Sequence, residues 1–421
     1  MEEPHQEPSV EAAASAWARS GAMALTGPAD GPGLGPPAPL VPRLRAVAER
    51  LAHRSAQLGT AVAVDPLRLL AERAAAAGLR RQGQVSCGGA ARLLRTADGW
   101  LAVSLARPDD LELVPAWLGR AVDADDVWAA VADAVAAHPT DDLVAQGRLL
   151  GLPVGGLPRA PLASPALPAP LAPLPGRATR LGDHEPAASL HGLVVVDLSA
   201  LWAGPLAGSL LADAGATVVK VESTTRPDGA RHGPPAFFDR LNAGKRCVAL
   251  DLRTDDGRRA LAALVARADV VLEAARPRAL AQLGVHAEAL VQDGGPRVWA
   301  SITGHGRTGE AAGAVGFGDD AAVAGGLVAW HGGDPCFCAD AVADPSTGLV
   351  AAAAVLEALA AGGRWLLDLS LAATAAHLAG PTLPVPADAP AAEPIPPTPR
   401  GVAAALGAHT DEVLAELGVR A

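Results

Sequence analysis

A single aspartate stands at the head of a long apolar run, Asp344 in Val342-Ala-Asp344-Pro-Ser346-Thr347-Gly348, where a carboxylate could carry chemistry. Asp followed by Pro and Ser/Thr is also helix-start chemistry, with Asp344 as N-cap and Pro345 in the first turn. Residue type alone therefore leaves two readings, a structural cap or a reactive carboxylate. The pair Asp319-Asp320 poses the same choice. The chain holds two lysines, Lys220 and Lys245, against thirty-two arginines. Both lysines fall near expected strand ends, and Arg226, Arg231, Arg246, Arg253, Arg276 and Arg278 cluster around them in sequence. Such a basic group in an acidic chain suits phosphates or carboxylates, although each cation singly also reads as solvated surface.

Two glycine-bearing turns deserve the same weighing. Trp202-Ala-Gly204-Pro205-Leu-Ala-Gly208 follows an expected strand and opens a helix, so its first turn can receive an anion. It is not a dinucleotide fingerprint, because Pro205 and the glycine spacing do not match G-x-G-x-x-G and no acidic ribose partner follows; NAD and FAD are excluded. Gly88-Gly89 forms a glycine-centred turn within Ser86-Cys-Gly-Gly89. Cys87, Cys247, Cys336 and Cys338 are too few and too scattered for a disulfide framework. Cys336-Phe-Cys338 lacks zinc-knuckle spacing, and no metal site is expected.

The elements that must position these residues are short β-rich runs at 193–198, 216–222, 268–273 and 297–303, with a last strand at 364–371, alternating with helix-length stretches such as 205–214 and 255–266. Continuous apolar strands separated by helices predict an α/β fold, a Rossmann-like parallel sheet with helices on both faces. Ligands then sit beyond the carboxyl ends of the strands. Ahead of it, residues 16–157 read as a smaller α+β module. It has helices near 42–58, 66–78, 109–118, 127–137 and 141–150, and a hairpin of 92–95 with 100–105 turning at Ala97-Asp98-Gly99. The remaining divisions are a flexible acidic tail (1–15), a Pro/Ala-rich linker (158–188) favouring extended conformation, the sheet domain (189–379), and a Pro-rich segment with a closing helix (380–421).

Composition narrows the function classes. The 421 residues carry a net charge of −11, which argues against a nucleic-acid footprint. Aromatics are 3% and Tyr is absent, so the core is built from small residues and close helix packing. The N-terminus lacks the order of a signal peptide, and the apolar helix expected at 349–361 is shorter than the ~20 residues a bilayer needs. A cytoplasmic protein without membrane contact is expected.

Several segments together resemble the family III CoA-transferases, which hold acyl-CoA:carboxylate transferases and α-methylacyl-CoA racemases. They are Leu190-His-Gly-Leu-Val-Val-Val-Asp-Leu-Ser199, Trp202-Ala-Gly-Pro205, Leu211-Ala-Asp-Ala-Gly-Ala-Thr-Val-Val-Lys-Val-Glu222, and Asn242-Ala-Gly-Lys-Arg-Cys-Val-Ala-Leu-Asp-Leu252. To these add Ser301-Ile-Thr-Gly-His-Gly306, Ala343-Asp-Pro-Ser-Thr-Gly348 and Gly407-Ala-His-Thr-Asp-Glu-Val-Leu-Ala-Glu-Leu-Gly418. The resemblance spans roughly residues 189–421. It implies a nucleophilic Asp344 that carries acyl and CoA groups in turn, coenzyme A as substrate with no resident cofactor, and an interlocked homodimer. It also implies a CoA pocket lined by Trp202, Ala203, Leu250, Asp251, Arg253, Ala274, Ala275 and Arg276, with Lys245 and Arg246 as further CoA contacts. Gly88 and Gly89 are similar to the glycine loop that covers the reacting thioester.

Departures stand beside the resemblance. A basic residue usual after the Lys-Val-Glu strand is Ser223, and an Asn-Phe pair is Ala274-Ala275. The racemases' Gly-His-Asp segment corresponds to Gly316-Phe-Gly-Asp-Asp320, which has no histidine, so transferase ranks above racemase; His305 and His331 lie near it in sequence only. A silent CoA-binding or partner subunit is the second reading. Residues 80–153 resemble the family's small domain, moved to the front or left from a fusion of two truncated copies.

Overall fold

The computed structural model describes residues 9–123, 126–386, 389–416 and 418. The chain opens with α1 (Val10–Arg19), α2 (Leu40–Leu58), α3 (Pro66–Leu69) and α4 (Glu72–Ala77). Then come β1 (Ala91–Arg95), β2 (Trp100–Ser104), α5 (Pro108–Leu118), α6 (Val127–Val135), α7 (Thr140–Leu150) and β3 (Val154–Gly156). The following stretch holds β4 (Arg177–Gly182), β5 (Val194–Asp197), α8 (Ala203–Asp213), β6 (Thr217–Ser223), α9 (Pro235–Asn242), β7 (Arg246–Leu250) and α10 (Asp255–Arg267). Next are β8 (Val270–Glu273), α11 (Pro277–Gln282), α12 (Ala287–Gln292), β9 (Val298–Thr303) and α13 (Gly318–Ala324). The last elements are β10 (Ala329–His331), β11 (Asp334–Cys336), α14 (Ala343–Ala361), β12 (Arg364–Ser370), α15 (Leu371–Leu378) and α16 (Thr410–Glu416).

Among the described residues seven strands form one sheet in the order β4-β12-β9-β8-β5-β6-β7, parallel throughout except for β4, which runs antiparallel to β12 at the edge. The order reverses between β5 and β8, the place where parallel sheets open a crevice at their carboxyl ends. Alternate residues of each strand face opposite sides. Val195, Val218, Val270 and Leu367 meet α8, α14 and α2 on one side, while Val196, Val219, Val271 and Trp299 meet α10 and α12 on the other. The α/β class and the helix-covered parallel sheet are thus as expected.

The central helix differs from its expected form. The expected helix over 349–361 starts six residues earlier, at Ala343, because Pro345 sits in the first turn where its missing N–H costs nothing. Asp344 is therefore inside the helix and caps nothing; the N-cap position is Val342, without a side-chain bond. By length and composition α14 is apolar enough to cross a membrane, and here it is buried in the core. Glu357, the one charge in its second half, is buried and held by Arg50 (3.0 Å) and Arg54 (2.8 Å) of α2.

Three further segments differ from the expected divisions. The acidic tail lies outside the described residues over 1–8 and is helical from Val10, with Ala13 buried. The Pro/Ala-rich stretch supplies β4 to the sheet edge and buries Leu167, Leu171 and Leu174 in the main core, so apolar burial overrides its extended tendency. The leading helices α1 and α2 pack into the large core, whereas β1–β3 with α5, α6 and α7 enclose a core of their own around Trp117 and Val131.

Candidate active site

Asp344 is the one residue from Ala343 to Leu359 that is not buried. The rest of that stretch packs on all sides, so the helix presents a single chemical group outward. Its carboxylate meets the start of α13. The Gly318 N–H donates to it, and a Cβ at Gly318 would lie 2.5 Å from Asp344 Oδ2 and 2.5 Å from the Ala341 carbonyl oxygen. Only glycine fits there.

Two more carboxylates close the group. Asp319 accepts from the Ala341 N–H at 3.2 Å and from the Ser86 hydroxyl. Asp340 is held side-on by Arg73 of α4, through Nε at 2.9 Å and through Nη2. Arg73 also lies over the Trp202 ring, 5.3 Å from its centroid, and Trp202 meets Phe237 edge-on at 5.0 Å. A Cβ on Gly88 would stand 3.8 Å from Arg73 Nη2. One guanidinium thus joins the aspartate group, the turn before α8 and the glycine loop.

Burial, partly opposed by Arg73 and reinforced by Asp319 and Asp340, pushes Asp344 up to about 7. Burial and Asp340 push Asp319 up to about 7 as well. The N–H of Gly318 at the start of α13 favours the ionised carboxylate, and the loss of water outweighs it. Asp320, at about 7 through burial, faces away to Ser104 (2.8 Å) and the Phe317 N–H (3.0 Å). Burial also pushes the Cys87 thiol upward, which makes it a packing residue rather than a nucleophile.

Backbone conformation marks the same place. Among the described residues, three that are not glycine take positive φ: Leu201 at 69°, Ala339 at 53° and Ala341 at 43°. Two flank Asp340 and the third precedes Trp202. Such positions cost free energy and concentrate at functional sites.

The other expected CoA contacts divide. Ala203 lies against α14, where a Cβ on Gly348 would come within 2.6 Å of its carbonyl oxygen. Leu250 is buried, and Asp251 pairs with Arg253 at 2.8 Å beyond β7, where Arg253 is exposed. Ala274, Ala275 and Arg276 follow β8 at the same sheet edge, with Ala274 and Arg276 exposed. Lys245 is corrected: it is buried, and its ammonium bonds Asp197 (2.8 Å), the Pro205 carbonyl (2.8 Å) and Asn242 (3.2 Å), which takes all three protons. Lys220 is likewise buried against Asp228 and the Ser199 carbonyl. Arg246 is turned to Glu412 (2.8 Å) and Glu416 and fastens α16 to β7. No described hydrogen bond joins His305 or His331 to Asp344; His305 is brought down to about 4 by burial and Arg148. Among the described residues no group of His, Cys, Asp and Glu is arranged to hold a metal.

Arg73, Asp340 and Ser86 escaped sequence reasoning. Arg73 sits in Ala71-Glu-Arg-Ala-Ala-Ala-Ala77, where nothing separates it from a solvated helix charge. The flanking Ala339 and Ala341 gave Asp340 no glycine to announce the left-handed turns.

The sequence model of CoA-transferase family III matches residues 190–406, just over half of the chain. Succinate–glutarate CoA-transferase of Agrobacterium fabrum is 34% identical over 188 residues, which covers 40% of this chain and 46% of that protein. Human succinyl-CoA:glutarate CoA-transferase is 32% identical over 180 residues, covering 40% and 41%. A CAIB/BAIF family protein from Brucella suis of known structure is 34% identical, with a TM-score of 0.40, over 44% of this chain and 54% of that one. The chain thus spans under half the length of these curated relatives.

Proposed function

The chain belongs to CoA-transferase family III, and on that footing we propose that it moves coenzyme A between an acyl-CoA and a carboxylic acid through Asp344. The observation that carries this reading is the isolation of Asp344, the one residue that α14 leaves partly exposed between Ala343 and Leu359. In the proposed sequence, the Asp344 carboxylate attacks the thioester carbonyl, the C–S bond breaks and CoA leaves as thiolate. The thiolate then attacks the Asp344 carbonyl of the anhydride, which frees the donor acid and leaves an Asp344–CoA thioester. An acceptor carboxylate attacks that carbonyl and again releases thiolate. Finally the thiolate attacks the acceptor carbonyl and restores Asp344. No net proton is gained or lost.

The relatives named for succinyl-CoA and glutarate support carboxylic acids on both sides of the reaction. In this reading CoA lies along the carboxyl edge of a Rossmann-like sheet. Trp202 and Ala203 take its reactive end, and Asp251, Arg253 and Ala274–Arg276 its nucleotide end. Gly88 and Gly89, exposed beside Arg73, supply a loop able to cover the thioester. A cytoplasmic homodimer completes the proposal.

A second reading, a CoA-binding subunit without turnover, draws on one observation. The two lysines and Arg246, expected at the phosphates, are occupied by internal carboxylates. Mass spectrometry after incubation with a panel of acyl-CoAs and hydroxylamine or borohydride trapping separates the two. A CoA-dependent adduct on Asp344, lost in Asp344→Ala, is the expected result. CoA binding with no adduct across the panel would refute turnover by this residue.

A further inference from the structure

Arg73 is only half engaged. Its Nε and Nη2 edge grips Asp340, while Nη1 donates to no described residue. Its side chain keeps 30% exposure although Asp340 keeps 1%. Nη2 lies nearest the exposed turn at Gly88, 3.8 Å from a Cβ built there, and the guanidinium sits over the Trp202 ring. A planar fork of this kind, stacked on an aromatic and anchored by a buried carboxylate, is preset to receive a second carboxylate.

The surrounding charges choose the ligand. Asp319, Asp340 and Asp344 all lie in the field of this one cation, with the buried Cys87 thiol the remaining titratable neighbour. A dianionic phosphate would meet three carboxylates and one guanidinium, which disfavours it. A singly charged carboxylate matches the free edge better, and least competition arises when Asp344 is held as its CoA thioester and has no charge.

We propose that the outer edge of Arg73 docks the carboxylate of the acceptor acid, and that conversion of Asp344 into its CoA thioester opens this dock by removing the competing negative charge. This rests on the transferase reading and adds an order to it: the acceptor binds the Asp344–CoA thioester in preference to the free enzyme. Arg73 is then a binding residue for the second substrate and needs no contact with CoA.

The test is calorimetric titration at pH 8 with succinate, and with succinamide as the uncharged control. Asp344→Asn stands in for the neutral, thioester-bound state. It is expected to bind succinate about tenfold more tightly than wild type, since one unit charge near the fork is gone. Arg73→Gln in the Asp344→Asn background is expected to lose that gain, and succinamide to bind none of the forms. Should Arg73→Gln fail to fold with Asp340 left unpaired, Arg73→Gln with Asp340→Asn removes both partners and reads the same loss. Equal succinate affinity in wild type and Asp344→Asn, absence of succinate binding in both, or a gain that survives loss of Arg73, would overturn the dock. The readout needs no turnover, so a missing acyl adduct on Asp344 would sink the transferase reading separately.

Discussion

Replacing Asp344 by Asn should stabilise the fold at alkaline pH, and by an amount the site sets. Asp344 titrates at about 7 rather than its ordinary 3.8 because burial and the neighbouring Asp319 and Asp340 disfavour its charge against the pull of Arg73. A carboxylic acid whose folded pKa is raised binds its proton more tightly in the folded state. Its stability contribution is whole below about 4 and is lost as pH rises through about 7. At about 1.4 kcal/mol per pH unit the full penalty would be about 4 kcal/mol. Asp344 keeps partial solvent contact, which screens the penalty and leaves about 2 kcal/mol. Urea unfolding of wild type and Asp344→Asn at pH 4, 6 and 8.5 measures the difference. Asn should give near-equal stability at pH 4, an intermediate gain at pH 6 and a plateau of about 2 kcal/mol at pH 8.5, with unchanged m-values. Parallel curves at all three pH values would refute the account of this carboxylate as a desolvated, uncompensated anion.

The nucleophilic form of Asp344 is the ionised one, so the kcat/KM of transfer should rise about tenfold per pH unit below about 7 and level above it; a flat profile from pH 5 to 9 would count against Asp344. Gly318→Ala puts a methyl 2.5 Å from Asp344 Oδ2 and should cost ~1–3 kcal/mol of stability together with most of the adduct formation on Asp344, read by unfolding and mass spectrometry. Lys245→Met leaves Asp197 an unpaired buried charge and should cost ~3–5 kcal/mol, whereas a phosphate-contact role would instead appear as weakened CoA binding by a well-folded variant. Arg246→Ala should loosen α16 alone, seen as faster hydrogen exchange over 410–416 with little change in global unfolding.

The sheet was legible because its strands are buried on both faces, and such strands announce themselves as unbroken runs of Val, Leu and Ile. Five of the seven, β5, β6, β8, β9 and β12, were read to within two residues. β4 was hidden, since an exposed edge strand reading Arg-Ala-Thr-Arg-Leu-Gly after a proline-rich stretch has no apolar signature. The charged residues divide along the same line. From sequence, Lys245 and Arg246 resemble ligand contacts. Their partners Asp197 and Glu416 lie 48 and 170 residues away, so only folding reveals that these cations are already taken.

Local pattern by itself determined the α/β class and the central apolar helix headed by Asp344, and the resemblance of several segments to one family singled out Asp344 as nucleophile. Those features depend on neighbours within a few turns of chain. Tertiary structure alone decided what surrounds Asp344. Arg73 from α4, the Ser86–Gly89 turn, Trp202 before α8 and the start of α13 converge there from four parts of the chain, and an electrostatic environment is a sum over distances that sequence separation does not measure.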